Sequence, residues 1–100
     1  MREDRQRLDK WLWFARFAKT RTLATKLVTS GFVRVNGQRA DSAAKAVAVG
    51  DVITIALART TLVVRVESLG ERRGPATEAR LLYVDLDQGE GTLVSGDGSR

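Results

Sequence analysis

One hundred residues, 43% hydrophobic and 29% charged, describe one folded domain with a modest core, and no apolar run approaches the length needed to cross a bilayer. The absence of Cys and His excludes disulfides, thiol nucleophiles, the usual zinc sites and imidazole catalysis. The net charge of +5 is unevenly spread: residues 1–40 hold ten Lys or Arg against three acids, and residues 41–100 hold seven against nine. Such asymmetry implies a directed basic face suited to a polyanion.

The opening "MREDRQRLDK" has too many charges of both signs for a signal peptide, so the expected location is the cytoplasm, with residues 1–6 a basic tail. Residues 7–18, "RLDKWLWFARFA", fit a helix whose stripe is Leu8, Trp11, Leu12 and Ala15. Arg7 and Lys10 lie to one side of it, and Asp9 reads as a helix-start residue. Trp13 and Phe17 fall nearly opposite the stripe. Exposed, they could stack on an unpaired base; packing against another element, such as the last strands, is the favoured alternative.

After "AKT", Thr20 is a plausible N-cap for a second helix with Leu23, Ala24, Leu27 and Val28 on its buried side. Gly31 ends it by taking the left-handed conformation. The period then switches to two. "FVRV", Asn36-Gly37 and "QRA" read as strand, type I′ turn and strand. "SAAKAV" is a short connector with a helical turn, and "VGDVITIAL" is a Gly-Asp turn before a strand. "TTLVVRVESL" and "ARLLYVDL" add two strands, separated by the polar loop "GERRGPATE". A flexible Gly-rich tail is expected over 88–100. The class is α+β: two helices on a small, mostly antiparallel sheet of about five strands.

The basic residues carry the functional signal. Arg7, Lys10, Arg16, Lys19, Arg21, Lys26 and Arg34 cluster on the helices and hairpin, and Thr22 adds a hydroxyl and a backbone N–H at a helix start. Helix N-termini attract anions, and an Arg fork holds phosphate oxygens in pairs. Read one at a time these are ordinary solvated charges; concentrated in one third of the chain, they describe a phosphate-binding surface. Asn36 and Gly37 shape its edge, although the turn alone explains both. Arg39 is a secondary candidate, and Arg72-Arg73 either add a second contact or keep their loop soluble. Asp9, Asp51, Asp85 and Asp87 form no catalytic constellation, and no phosphate-cradling Gly loop or nucleophile elbow is present. The expectation is therefore no enzyme, cofactor, metal, membrane or small-molecule substrate, and a monomer.

The frame "RLDKWLWFARFAKTRTLATKLVTSGFVRVNG", followed by "VGDVITI", resembles the RNA-binding domain of the ribosomal small-subunit protein four type, the S-four domain. Arg-Leu-Asp-Lys opens helix one, Lys-Thr-Arg occupies the turn, Gly31 closes helix two, and Val-Asn-Gly forms the hairpin. The resemblance implies a two-helix RNA-binding motif of the αL type over 7–56, with 57–87 a strand extension of the same domain. With "ERRGPATEARLLY" it extends to the ribosome-associated heat-shock protein fifteen family. That implies binding of ribosomal RNA on the large subunit, connected with stalled subunits. In that family a long basic extension follows, where this sequence reads "QGEGTLVSGDGSR". The RNA-facing set implied is the one already named: Arg7, Lys10, Arg16, Lys19, Arg21, Thr22, Lys26 and Arg34. Other readings are a winged helix-turn-helix DNA binder, non-specific DNA binding, a piece of an RNA-modifying enzyme, and a basic protein-interaction domain.

Overall fold

The computed structural model describes residues 5–86, in which two helices precede a five-stranded antiparallel sheet. The first helix, α1 (Leu8–Phe14), follows a two-residue strand, β1 (Gln6–Arg7). Leu8, Trp11 and Leu12 are fully buried, as their spacing predicts, and the Trp11 indole N–H donates to Ser68 O at 3.0 Å.

Helix α1 ends four residues before the expected Ala18. The Arg16 N–H bonds to Trp13 O at 3.1 Å and the Phe17 N–H to Leu12 O at 3.0 Å, the paired bonds of a Schellman ending. Arg16 takes the left-handed position with φ +67°, where a side chain costs about 1–2 kcal/mol. Beyond Phe14 the helical wheel therefore no longer applies. The reversed chain brings the Phe17 ring to 5.9 Å from Trp11 and 4.7 Å from Tyr83. Trp13 is half-buried against the same core, so both aromatics pack rather than project.

No side chain caps the start of α1. Its first N–H groups need acceptors, and the connector supplies them: Leu8 N–H to Lys45 O at 2.8 Å and Asp9 N–H to Ala43 O at 3.1 Å. The connector keeps the expected turn at residues 43–44, closed by the Lys45 N–H to Ser42 O at 3.1 Å, and only its end is extended. Strand β4 (Ala46–Val47) pairs antiparallel with β1. Gln6, assigned above to the tail, thus lies in a strand, and its side-chain amide exchanges two hydrogen bonds with Gly70 at 2.8 and 3.0 Å.

Helix α2 (Arg21–Thr29) starts at Thr20, whose hydroxyl accepts from the Leu23 N–H at 3.0 Å. It closes at Gly31, φ +87°, with a second Schellman pair from Gly31 and Phe32 to Val28 O and Leu27 O. Its buried side is narrower than the spacing suggested. Ala24 and Val28 are buried and Leu27 half-buried, but Leu23 is 45% exposed. A hydrogen bond from Thr25 to Asp9 of α1 sets the rotation of the helix and turns Leu23 outward.

Strands β2 (Val33–Val35), β3 (Gln38–Arg39), β5 (Val52–Ala56), β6 (Thr61–Val66) and β7 (Tyr83–Asp85) form the sheet in the order β3-β2-β5-β6-β7. Val33, Val35, Ile53, Ile55, Val64 and Val66 point into the core, while Arg34 faces solvent opposite Arg39 and Thr54. Asn36 and Gly37, at φ +53° and +84°, make the expected type I′ turn. The "ARLLYVDL" segment is a strand only at its end. Pro75 has the fixed φ suited to a helix entry, and α3 (Ala76–Ala79) and a 3₁₀ turn (Arg80–Leu82) precede β7. The expected tail over 88–100 lies outside the described residues.

Candidate nucleic-acid interface

The centre of the basic face is an acid. Asp9 is 2% exposed, and Arg7 Nε and Nη2 donate to its two carboxylate oxygens at 3.1 Å each. Thr25 Oγ1 donates to Oδ2 at 3.1 Å, and Arg21 Nη2 lies 3.7 Å from Oδ1. Burial pushes the carboxyl pKa up, but the hydrogen bonds from Arg7 and Thr25 and the charges of Arg7 and Arg21 outweigh it and hold Asp9 below its ordinary range. The same carboxylate raises Arg7. The guanidinium side chains themselves remain 52% and 43% exposed. One buried anion thus holds Arg7 through two hydrogen bonds, which use two of its five N–H donors, and draws Arg21 close by charge, one cation from the start of each helix.

Lys19 and Thr22 flank Arg21 and are exposed. Lys26 follows on the last turns of α2, also exposed. At the far end of α2, Arg34 and Arg39 are cross-strand partners on the hairpin, with Arg34 Nη1 3.5 Å from Gly37 O. The Arg39 guanidinium lies over Gly31, where a Cβ would come within 2.8 Å of Nη2. The secondary candidate Arg39 is therefore placed beside Arg34 and the end of α2. Asn36 works within the fold: its Nδ2 donates to Asp51 Oδ1 at 3.2 Å and its Oδ1 accepts from the Val52 N–H at 2.9 Å.

The remaining candidates gather elsewhere. Arg16 Nε donates to Gly74 O at 2.8 Å, and Arg72 Nη2 pairs with both oxygens of Glu78 at 2.9 and 3.0 Å. The Arg73 guanidinium sits 5.8 Å from the Trp13 ring centre with its Nε buried and unpartnered, and Lys10 Nζ sits 5.6 Å from the Phe14 ring. Arg16, Arg72 and Arg73 gather at the loop before α3, because the left-handed turn at Arg16 aims that side chain at Gly74, whereas Lys10 stays on α1, three residues from Arg7.

On the other flank of α2, Phe17, Lys19, Leu23, Lys26, Leu27 and Phe32, with Leu57, border a groove of about 440 Å³. Phe32 is 50% exposed there. Sequence reasoning passed over Asp9 as a clamp and Phe32 as a surface residue. The signal for Asp9 was present, as a single acid in a stretch otherwise basic from Arg5 to Lys26. Among the described residues, no group of three or more His, Cys, Asp or Glu could hold a metal ion, and no helix is long and apolar enough to cross a membrane.

The S4 domain model matches residues 6–53, starting where β1 starts. The solved structure of Vibrio cholerae heat shock protein 15, a trimer, superposes with a TM-score of 0.78 at 42% identity, covering 84% of each chain. The chain belongs to the heat shock protein 15 family of S4-domain proteins. Heat shock protein 15 of Escherichia coli K12 is 46% identical over 77% of this chain, and the Haemophilus influenzae homolog is 40% identical over 87%. The chain spans 57% and 66% of the lengths of those two relatives. The small ribosomal subunit protein uS4 of Xanthobacter autotrophicus is 38% identical over 85% of this chain and 40% of its own length. The chain is thus similar both to heat shock protein 15 and, over most of its length, to a small ribosomal subunit protein.

Proposed function

We propose that this chain is a non-catalytic RNA-binding protein that recognises structured RNA, with the start of α2 and the β2–β3 hairpin as its contact surface. The observation that carries the reading is the pair of guanidinium groups, Arg7 and Arg21, paired with one buried carboxylate yet open to solvent. Cations held in place lose little entropy on docking, which is what a phosphate surface needs. Lys19, Thr22, Lys26 and Arg34 extend that surface, with Asn36 and Gly37 at its edge and Arg39 beside Arg34. Lys10, on α1 with Arg7, belongs to the same surface, while Arg16, Arg72 and Arg73, engaged around Gly74, contribute at most weakly. Residues 7–56 carry the recognition and 57–87 extend the sheet that supports it.

The relatives' names support a ribosomal target, and the finer proposal is ribosomal RNA of the large subunit, in the cytoplasm, in rescue or recycling of stalled large subunits under heat stress. Binding would be electrostatic and shape-led, with few base-specific contacts. The test titrates labelled large-subunit ribosomal RNA and duplex DNA of matched length across a salt series, with the Lys19→Ala/Arg21→Ala variant alongside. The expected result is tighter RNA binding, with a log–log salt slope of roughly −3.5 to −4.5 for about five phosphates. In the variant it becomes shallower by roughly 1.4–1.8. Equal binding to both polymers, or an unchanged slope, would overturn the reading. Sedimentation of the free protein decides between the monomer expected from the sequence and the trimer of the Vibrio cholerae relative.

A further inference from the structure

We propose that the groove beside α2 receives an unpaired nucleotide of the bound RNA, an inference that rests on the RNA-binding reading above. Two observations carry it. The groove is lined mainly by apolar side chains, Phe17, Leu23, Leu27, Phe32 and Leu57, with the cations Lys19 and Lys26 beside them. No acid borders it. An extruded nucleotide has the matching chemistry: a flat base with an apolar face, between two phosphates.

The second observation is position. On the helical wheel of α2, Arg21 and Thr25 turn toward Asp9 and α1, Leu23 and Leu27 turn toward the groove, and Lys26 lies between the two flanks. A strand of RNA held at Arg21 and Lys26 therefore passes the groove mouth without leaving the cationic surface. Its volume, about 440 Å³, lies within the roughly 300–1,000 Å³ typical of small-molecule sites. Phe32 supplies the stacking platform because the Schellman ending at Gly31 turns the chain there and leaves its ring half exposed. Leu23, near the start of α2, is 45% exposed and borders the same groove. An apolar rim this open on a helix whose other side is well buried is an anomaly for solvent, and base stacking removes it.

The experiment compares three RNA hairpins of one stem sequence: fully paired, with a one-nucleotide bulge, and with the same bulge made abasic. The expected result is about tenfold tighter binding of the bulge than of its abasic counterpart. In Phe32→Ser and Leu23→Ser the ratio falls toward one while affinity for the paired stem is kept, since both side chains are already half exposed. A 2-aminopurine placed in the bulge is quenched by wild-type protein, a readout independent of whether either variant folds. Equal affinity for bulged and abasic RNA, or no quenching, would overturn the proposal while the RNA-binding reading stands. Failure to bind any of the three would overturn both. Self-association that Phe32→Ser abolishes, with no change in the bulge ratio, would assign the groove to a second copy of this chain instead.

Discussion

Asp9 shows how one residue organises the site. Its folded pKa is depressed against an unfolded value of about 4, so its contribution to stability is fully present above that value and is lost as pH falls through the folded one. Asp9→Asn should remove this part of the acid sensitivity: urea midpoints between about pH 5 and pH 2 fall for wild type and flatten for the variant. At neutral pH the same change should cost about 1–3 kcal/mol. That is less than breaking a fully buried pair, because the guanidinium side chains left behind are half exposed and remain solvated. The residue is visible in the sequence as an acid among cations. Its burial is not, because that depends on α2 crossing α1 so that Thr25 and Arg21 close over it.

Among the elements, α2 was the most legible because both of its ends have local chemical causes. Thr20 caps the start, and Thr20→Ala should cost about 1 kcal/mol by thermal or urea denaturation. Gly31 ends it with positive φ, and Gly31→Ala should cost about 1–2 kcal/mol while displacing the Arg39 guanidinium that lies over it. A chemical-shift change at Arg39 Nε, alongside the lost stability, checks that second effect. Helix α1 was less legible for the opposite reason. It stops at a left-handed Arg rather than Gly, and it starts without a capping side chain, its first N–H groups satisfied by Ala43 and Lys45 more than thirty residues away. Local propensity has no view of such partners. The same pairing made a strand of only the end of the "SAAKAV" connector, Ala46–Val47, after its turn, and Pro75 with its short helix shortened the last one.

At the scale of the whole molecule, the candidate cations differ in how they are held. Arg7 and Arg21 stand at the helix starts and Arg34 and Arg39 on the hairpin, whereas Arg16 and Arg72 are already engaged with Gly74 O and Glu78. Arg72→Ala/Arg73→Ala should therefore change the salt slope by less than about 0.5, against the larger change for Lys19→Ala/Arg21→Ala, in the same titration. The exposed Arg72–Glu78 pair adds about 0–1 kcal/mol to stability and the Arg73–Trp13 contact about 0.5–1 kcal/mol, so this variant should stay folded with a small loss of stability.

The sequence by itself determined the α+β class, the type I′ hairpin, the boundaries of α2 and the concentration of positive charge in the first forty residues. Each follows from chemistry within a few residues: periodicity, a capping hydroxyl, a positive-φ pair, a count of cations. Only the tertiary structure decided which cations stand together, that a buried carboxylate pairs with two of them, and that Leu23, placed in the core by the helical wheel, opens a groove with Phe32. Those outcomes depend on how two helices cross and where distant backbone acceptors fall, and neither is encoded in the spacing of any one segment.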